Sequence, residues 1–96
     1  MEIKKVLDNN KATISISGWL DTQTAPEFKD VIEKLTDDIT ELVIDCEELE
    51  YVSSAGLRQL VAAHTKMKGN LELNNVSAEI MYVLKTTGLD KVINIK

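Results

Sequence analysis

Apolar and polar residues alternate from Lys11 to Ser17, with Ala12, Ile14 and Ile16 on one side and Thr13, Ser15 and Ser17 on the other. A period of two marks a strand with one buried face. Ile3 to Leu7 is a weaker strand candidate, and Asp8-Asn9-Asn10 between the two supplies tight-turn residues, so the chain opens on a β-hairpin. The second strand is expected to stop at Gly18. Were its alternation to continue, Leu20 would fall on the core side and Trp19 beside Ser15 and Ser17. Two readings of Trp19 then stand: it folds back over the sheet edge, or it is an exposed anchor for a partner, a role in which Trp is enriched.

The period changes after Asp21. Phe28, Val31, Ile32 and Leu35 recur at helical spacing behind the N-cap candidates Asp21 to Thr24, with Pro26 suited to a first turn, which predicts a helix over 24–35. Beyond the polar connection Thr36–Thr40, Glu41–Cys46 holds an unbroken apolar run and reads as a strand buried on both faces. Lying between two helical patterns, it needs at least one parallel neighbour. An acidic loop is expected next. From Ala55, the spacing of Leu57, Leu60, Val61 and His64 predicts a second helix to about Met67, ended by Lys66, Lys68 and Gly69. Leu71–Asn74 alternates as a short strand, and Ser77 caps a third helix with Ile80, Met81, Val83 and Leu84 inward. Gly88 closes that helix, and Val92–Ile95 reads as a terminal strand. The order β-β-α-β-α-β-α-β describes one α/β domain over residues 1–96, with helices packed on a mixed sheet.

Composition and charge narrow the function. A chain of 96 residues suits a single core, and a net charge of −5 without a basic patch argues against a nucleic-acid partner. The apolar runs are too short to cross a bilayer, and Met1–Lys5 lacks the apolar core of a signal peptide, so a cytoplasmic location without a membrane partner is expected. One cysteine and one histidine allow neither an internal disulfide nor a His/Cys metal cluster, and no metal or cofactor is expected. Cys46, next to Leu42-Val43-Ile44, reads as a packing residue.

Candidate chemistry gathers around Ser53 and Ser54. A hydrolase would need a base beside one of them, and His64 lies roughly 15 Å further along the same helix, at ~1.5 Å per residue. Asp45, Glu47, Glu48 and Glu50 lack the spacing and the turn glycine of a calcium loop, and Gly56 stands alone where a phosphate loop or dinucleotide fingerprint needs several glycines. Hydrolytic chemistry has little support, and a hydrolase using Ser54 stays as a rival reading. What remains is a pair of hydroxyls at a helix start, where unpaired N–H groups and the helix dipole tolerate phosphate; a serine there also serves as a plain N-cap.

The run Leu42-Val43-Ile44-Asp45, a short spacer, and then Tyr51-Val52-Ser53-Ser54-Ala55-Gly56-Leu57-Arg58-Gln59-Leu60 resembles the signature of the STAS domain of bacterial anti-sigma factor antagonists. Gly18-Trp19-Leu20-Asp21 followed by Thr24-Ala25 is similar to the family's Gly-x-Leu-Asp element before its first helix, and the resemblance extends over essentially the whole chain. It implies a phosphorylation site at Ser54, the serine two residues before Gly56. Ser53 is the second candidate, since it replaces the aspartate of the family's commonest Asp-Ser-Ser-Gly form. It further implies that the unphosphorylated protein binds an anti-sigma factor with serine kinase activity and so frees a sigma factor. Phosphorylation would end that binding and a PP2C-type phosphatase would restore it. The contact surface would comprise Asp21, Trp19, Ser53, Ser54 and Arg58. The same resemblance admits an alternative, a scaffold subunit of a transport or stress-signalling complex in which Ser54 is simply a helix cap.

Overall fold

The computed structural model describes the whole chain, Met1–Lys96. Strand β1 (Glu2–Asp8) pairs antiparallel with β2 (Lys11–Leu20), and Asn9 turns the hairpin at φ 54°, a left-handed conformation that asparagine tolerates. Helix α1 (Ala25–Glu33), strand β3 (Glu41–Val52), helix α2 (Ser54–Lys66), strand β4 (Leu71–Asn74) and helix α3 (Ala78–Thr86) follow. A 3₁₀ turn (Leu89–Lys91) leads into β5 (Asn94–Ile95). The strands form one sheet in the order β1-β2-β3-β4-β5, and β2 to β5 are mutually parallel. Element order and mixed sheet are as the sequence predicts, and β3 has parallel neighbours on both sides.

Each crossover from β2 to β5 moves one place in the same direction. Such connections are right-handed, so all three helices fall on one face of the sheet. Rows of side chains across the strands, Ala12–Leu42–Leu71 and Ile14–Ile44–Leu73, form the floor of the core. Phe28, Ile32, Leu60, Ala63, Ile80 and Leu84 close over it. Burying each large member contributes about 1.5–3 kcal/mol. Lys66 ties the layer together by donating from Nζ to the carbonyls of Glu33 and Leu35 (3.3 and 3.2 Å), capping the end of α1. The expectation that Glu41–Cys46 is buried on both faces holds over Leu42–Ile44, with Glu41 exposed and Asp45 half-buried. Leu42, Ile44 and Cys46 enter the core, whereas Val43 lies on the helix-free face and, though only 9% exposed, is not part of the cluster.

Three boundaries also differ from expectation. Strand β2 runs past Gly18 to Leu20, and β3 runs through the supposed acidic loop to Val52. The cause is a pair of β-bulges. Ser15 faces Asp45 but Ser17 faces Glu48, and Gly18 faces Leu49 but Trp19 faces Tyr51, so each shift adds one residue to β3. The buried positions after Ile44 become Cys46, Leu49 and Val52, a spacing that no longer reads as a strand. At the other end, a 3₁₀ turn follows Gly88 (φ 78°) and the last strand shortens from the expected Val92–Ile95 to Asn94–Ile95; Val92 is exposed, although Ile93 remains in the core.

Candidate functional site

Strands β2 and β3 end side by side at Leu20 and Val52, and their C-terminal ends feed α1 and α2. The Ser53 N–H donates to the Leu20 carbonyl (2.9 Å), extending the pairing by one bond. Ser53 is itself extended (φ −92°, ψ 176°), and its Oγ accepts the Gly56 N–H at 3.3 Å. This is the geometry of an N-cap. Ser54, the first helical residue, is exposed, and its side chain is not needed to close the helix start. The cap that the scaffold alternative assigned to Ser54 thus belongs to Ser53.

Gly56 explains why α2 begins so close to the sheet. A Cβ there would stand 2.5 Å from the Leu20 carbonyl oxygen, 2.8 Å from Val52 Cγ2 and 2.9 Å from Leu20 Cγ, so only glycine lets the first turn press onto the strand ends. Its role is close approach.

Asp21 builds the turn between β2 and α1. One carboxylate oxygen accepts the N–H groups of Gln23 (3.0 Å) and Thr24 (3.1 Å). The Thr24 hydroxyl accepts the Asp21 N–H (2.9 Å) and donates to the Trp19 carbonyl (2.7 Å). Thr24 consequently makes no side-chain cap of its own to α1. Asp21 is half-buried, with a structural duty beside whatever it contributes at the surface.

Trp19 does not fold over a sheet edge, because β2 is an interior strand. It lies on the helix-free face against Tyr51, its cross-strand partner, with ring centroids 5.1 Å apart and planes tilted by 50°. Both rings stay open to solvent, Trp19 at 57% and Tyr51 at 47%. Sequence reasoning missed Tyr51. Continuing the register from Ser15 opposite Asp45 without bulges would set Trp19 against Leu49, and only the two inserted residues bring Tyr51 there.

Arg58 is exposed one helical turn beyond Ser54. The two residues line an open groove of about 360 Å³ together with Leu57, Val61, Thr87 and Leu89. Structure thus gathers Ser53, Ser54 and Arg58 at the start of one helix and sets Asp21 and Trp19 at the same end of the sheet. Cys46, by contrast, is 1% exposed, and burial, reinforced by the charge of Asp45, pushes its thiol up to about 12. A thiol so hard to ionise is a packing group and no nucleophile. No three His, Cys, Asp or Glu side chains group closely enough to hold a metal ion.

The architecture and this junction place the chain in a definite class. The model of the Mlab, STAS domain family matches residues 3–94, and the chain belongs to the STAS domain family. Among curated proteins it is 32% identical over 101 residues to the anti-sigma-B factor antagonist of Listeria monocytogenes, an alignment covering 100% of this chain and 87% of that protein. It is 28% identical over 91 residues to the anti-sigma-B factor antagonist of Bacillus subtilis, covering 92% of this chain and 84% of the relative. The crystal structure of an anti-sigma factor antagonist from Mycobacterium paratuberculosis matches with a TM-score of 0.87 at 26% identity, over 98% of this chain and 83% of that one. No helix is long and apolar enough to cross a membrane.

Proposed function

We propose that this chain is a cytoplasmic anti-sigma factor antagonist switched by phosphorylation at Ser54. The relatives' shared role supports the first half of the reading. The observation that carries the second is the division of labour between the two serines: Ser53 is occupied as the cap, and Ser54 presents a hydroxyl that the fold does not use. Unphosphorylated, the chain docks on an anti-sigma factor through Trp19, Asp21, Ser53, Ser54 and Arg58, and the sigma factor is released. The same anti-sigma factor is a serine kinase. It transfers the γ-phosphoryl group of ATP to Ser54 Oγ; the new O–P bond forms as ADP leaves and the hydroxyl proton passes to the kinase. Hydrolysis by a PP2C-type phosphatase reverses the step. This chain supplies the acceptor and no catalysis.

The switch needs no change of fold. Phosphate adds about −1.5 to −2 charge at neutral pH, which a helix N-terminus tolerates. In a docked interface that charge must be desolvated or repelled, and a loss of about 2.8 kcal/mol weakens binding roughly a hundredfold. The test is mass spectrometry of wild type and Ser54→Ala after incubation with ATP and the anti-sigma kinase. One phosphate on wild type and none on the variant is expected; equal phosphorylation of both would remove Ser54 from the switch.

A further inference from the structure

Arg58 is the chain's single arginine, and it is exposed on α2. It belongs to none of the ion pairs, which are Lys4–Glu2, Lys29–Glu33, Lys34–Asp30 and Lys96–Glu72. It follows Ser54 by four residues on the same helix. Residues i and i+4 have Cβ atoms about 5–6 Å apart, and long helical side chains lean toward the N-terminus, so Arg58 reaches back over the turn that carries Ser54. Both line the groove between α2 and the end of α3, where Leu57, Val61, Thr87 and Leu89 bring no charge. Asp21 at the entry to α1 and Asp90 in the 3₁₀ turn are acids on neighbouring elements, and neither lines it.

We propose that phosphoserine at position 54 captures the Arg58 guanidinium within the same helix, and that the pair closes the mouth of the groove. Phosphorylation then acts twice. It adds charge to the docking surface, and it withdraws Arg58 and the apolar groove floor from the partner. The proposal rests on Ser54 being the modified residue. Its chemistry is favourable on three counts: a guanidinium fork matches phosphate oxygens bidentately, an anion placed N-terminal to a cation at i, i+4 is the stronger orientation, and the anion sits at the positive end of the helix.

The test uses the full chain with phosphoserine installed at position 54 during translation, so that no kinase is involved. The second phosphate ionisation, near pH 6 in the free residue, is followed by ³¹P NMR. Its pKa is expected to be lower by about half a unit in the otherwise wild-type chain than in Arg58→Gln, with the difference shrinking in ~1 M salt. Arg58→Lys should keep part of it, and the Arg58 Nε–H resonance should move on phosphorylation. Equal pKa values in the wild-type and Arg58→Gln backgrounds, within about 0.1 unit, would overturn the capture. So would an unmoved Arg58 resonance. Neither result depends on whether a kinase modifies Ser54, which the incubation with ATP decides separately.

Discussion

The carbonyl oxygen of Leu20 accepts the Ser53 N–H at 2.9 Å and lies 2.5 Å from where a Cβ on Gly56 would stand. One backbone atom of β2 therefore fixes both the approach to α2 and the depth of its first turn. A carbonyl cannot swing aside as a side chain can. Gly56→Ala gains about 1 kcal/mol of helix propensity and loses about 3 kcal/mol to overpacking against a backbone atom, for a net destabilisation of about 2 kcal/mol. Urea denaturation measures it, and a variant as stable as wild type would mean that the junction yields.

The two serines should separate in stability. Ser53→Ala removes the cap and should cost about 1 kcal/mol, whereas Ser54→Ala should lie within about 0.5 kcal/mol of wild type. Parallel denaturation of the two variants is enough. The opposite ranking would assign the cap to the wrong serine.

Ser54→Asp should keep the fold, since an acid in the first turn of α2 suits the helix dipole, and should lower affinity for the anti-sigma factor by tenfold or more, about 1.4 kcal/mol. Circular dichroism together with titration calorimetry gives both readouts. Unchanged affinity would take Ser54 out of the docking surface.

Trp19 and Tyr51 touch each other on an otherwise open face, so their contact should register as a coupling. A double-mutant cycle of Trp19→Ala and Tyr51→Ala is expected to give about 0.5–1 kcal/mol in folding stability. A coupling near zero would mean the rings are held by their strands alone. In solution Trp19 fluorescence should be open to acrylamide, and partner binding should shield it; an unchanged quenching rate in the complex would argue against Trp19 as an anchor.

Cys46 gives the fold a pH dependence at the alkaline end. Its pKa is raised from 9.0 to about 12 on folding, so the native state retains a proton that the unfolded chain gives up. The associated stability is fully present below pH 9 and is lost as pH rises toward 12, at up to about 1.4 kcal/mol per pH unit. Urea midpoints of wild type and Cys46→Ala between pH 8 and about 10.5 isolate this contribution, because other groups titrate in both. Parallel midpoint curves would contradict it.

Elements with a plain period were legible. The alternation of Ala12, Ile14 and Ile16, the helical spacing of Phe28 to Leu35, and the Ser77 cap, whose Oγ accepts the Ile80 N–H at 3.2 Å, all hold in the structure. What the pattern hid was the second half of β3. Two bulges change the spacing of its buried residues, so Glu47–Glu50 reads as a charged loop although it belongs to the strand and Glu48 and Leu49 pair with β2. The site was legible in part. Ser54 and Arg58 share a groove, but the cap role of Ser53, the turn-building role of Asp21 and the position of Tyr51 depend on which backbone atoms meet. Periodicity along one segment carries no information about that.

The bulges of β3 make the acidic segment a spacer. Apart from buried Leu49, the side chains from Glu47 to Glu50 are exposed and can be exchanged at little cost to the fold. Two of these residues are the extra ones that the bulges insert. Removing Glu47 or Glu50 would close one bulge and bring the neighbouring buried positions to the ordinary spacing of two, which leaves Leu49 and Val52 facing the core and α2 starting from the same side of the sheet. Both the charges of this stretch and its bulges can therefore be rewritten to retune how a partner approaches, while Ser54 stays on the same face at the end of the strand.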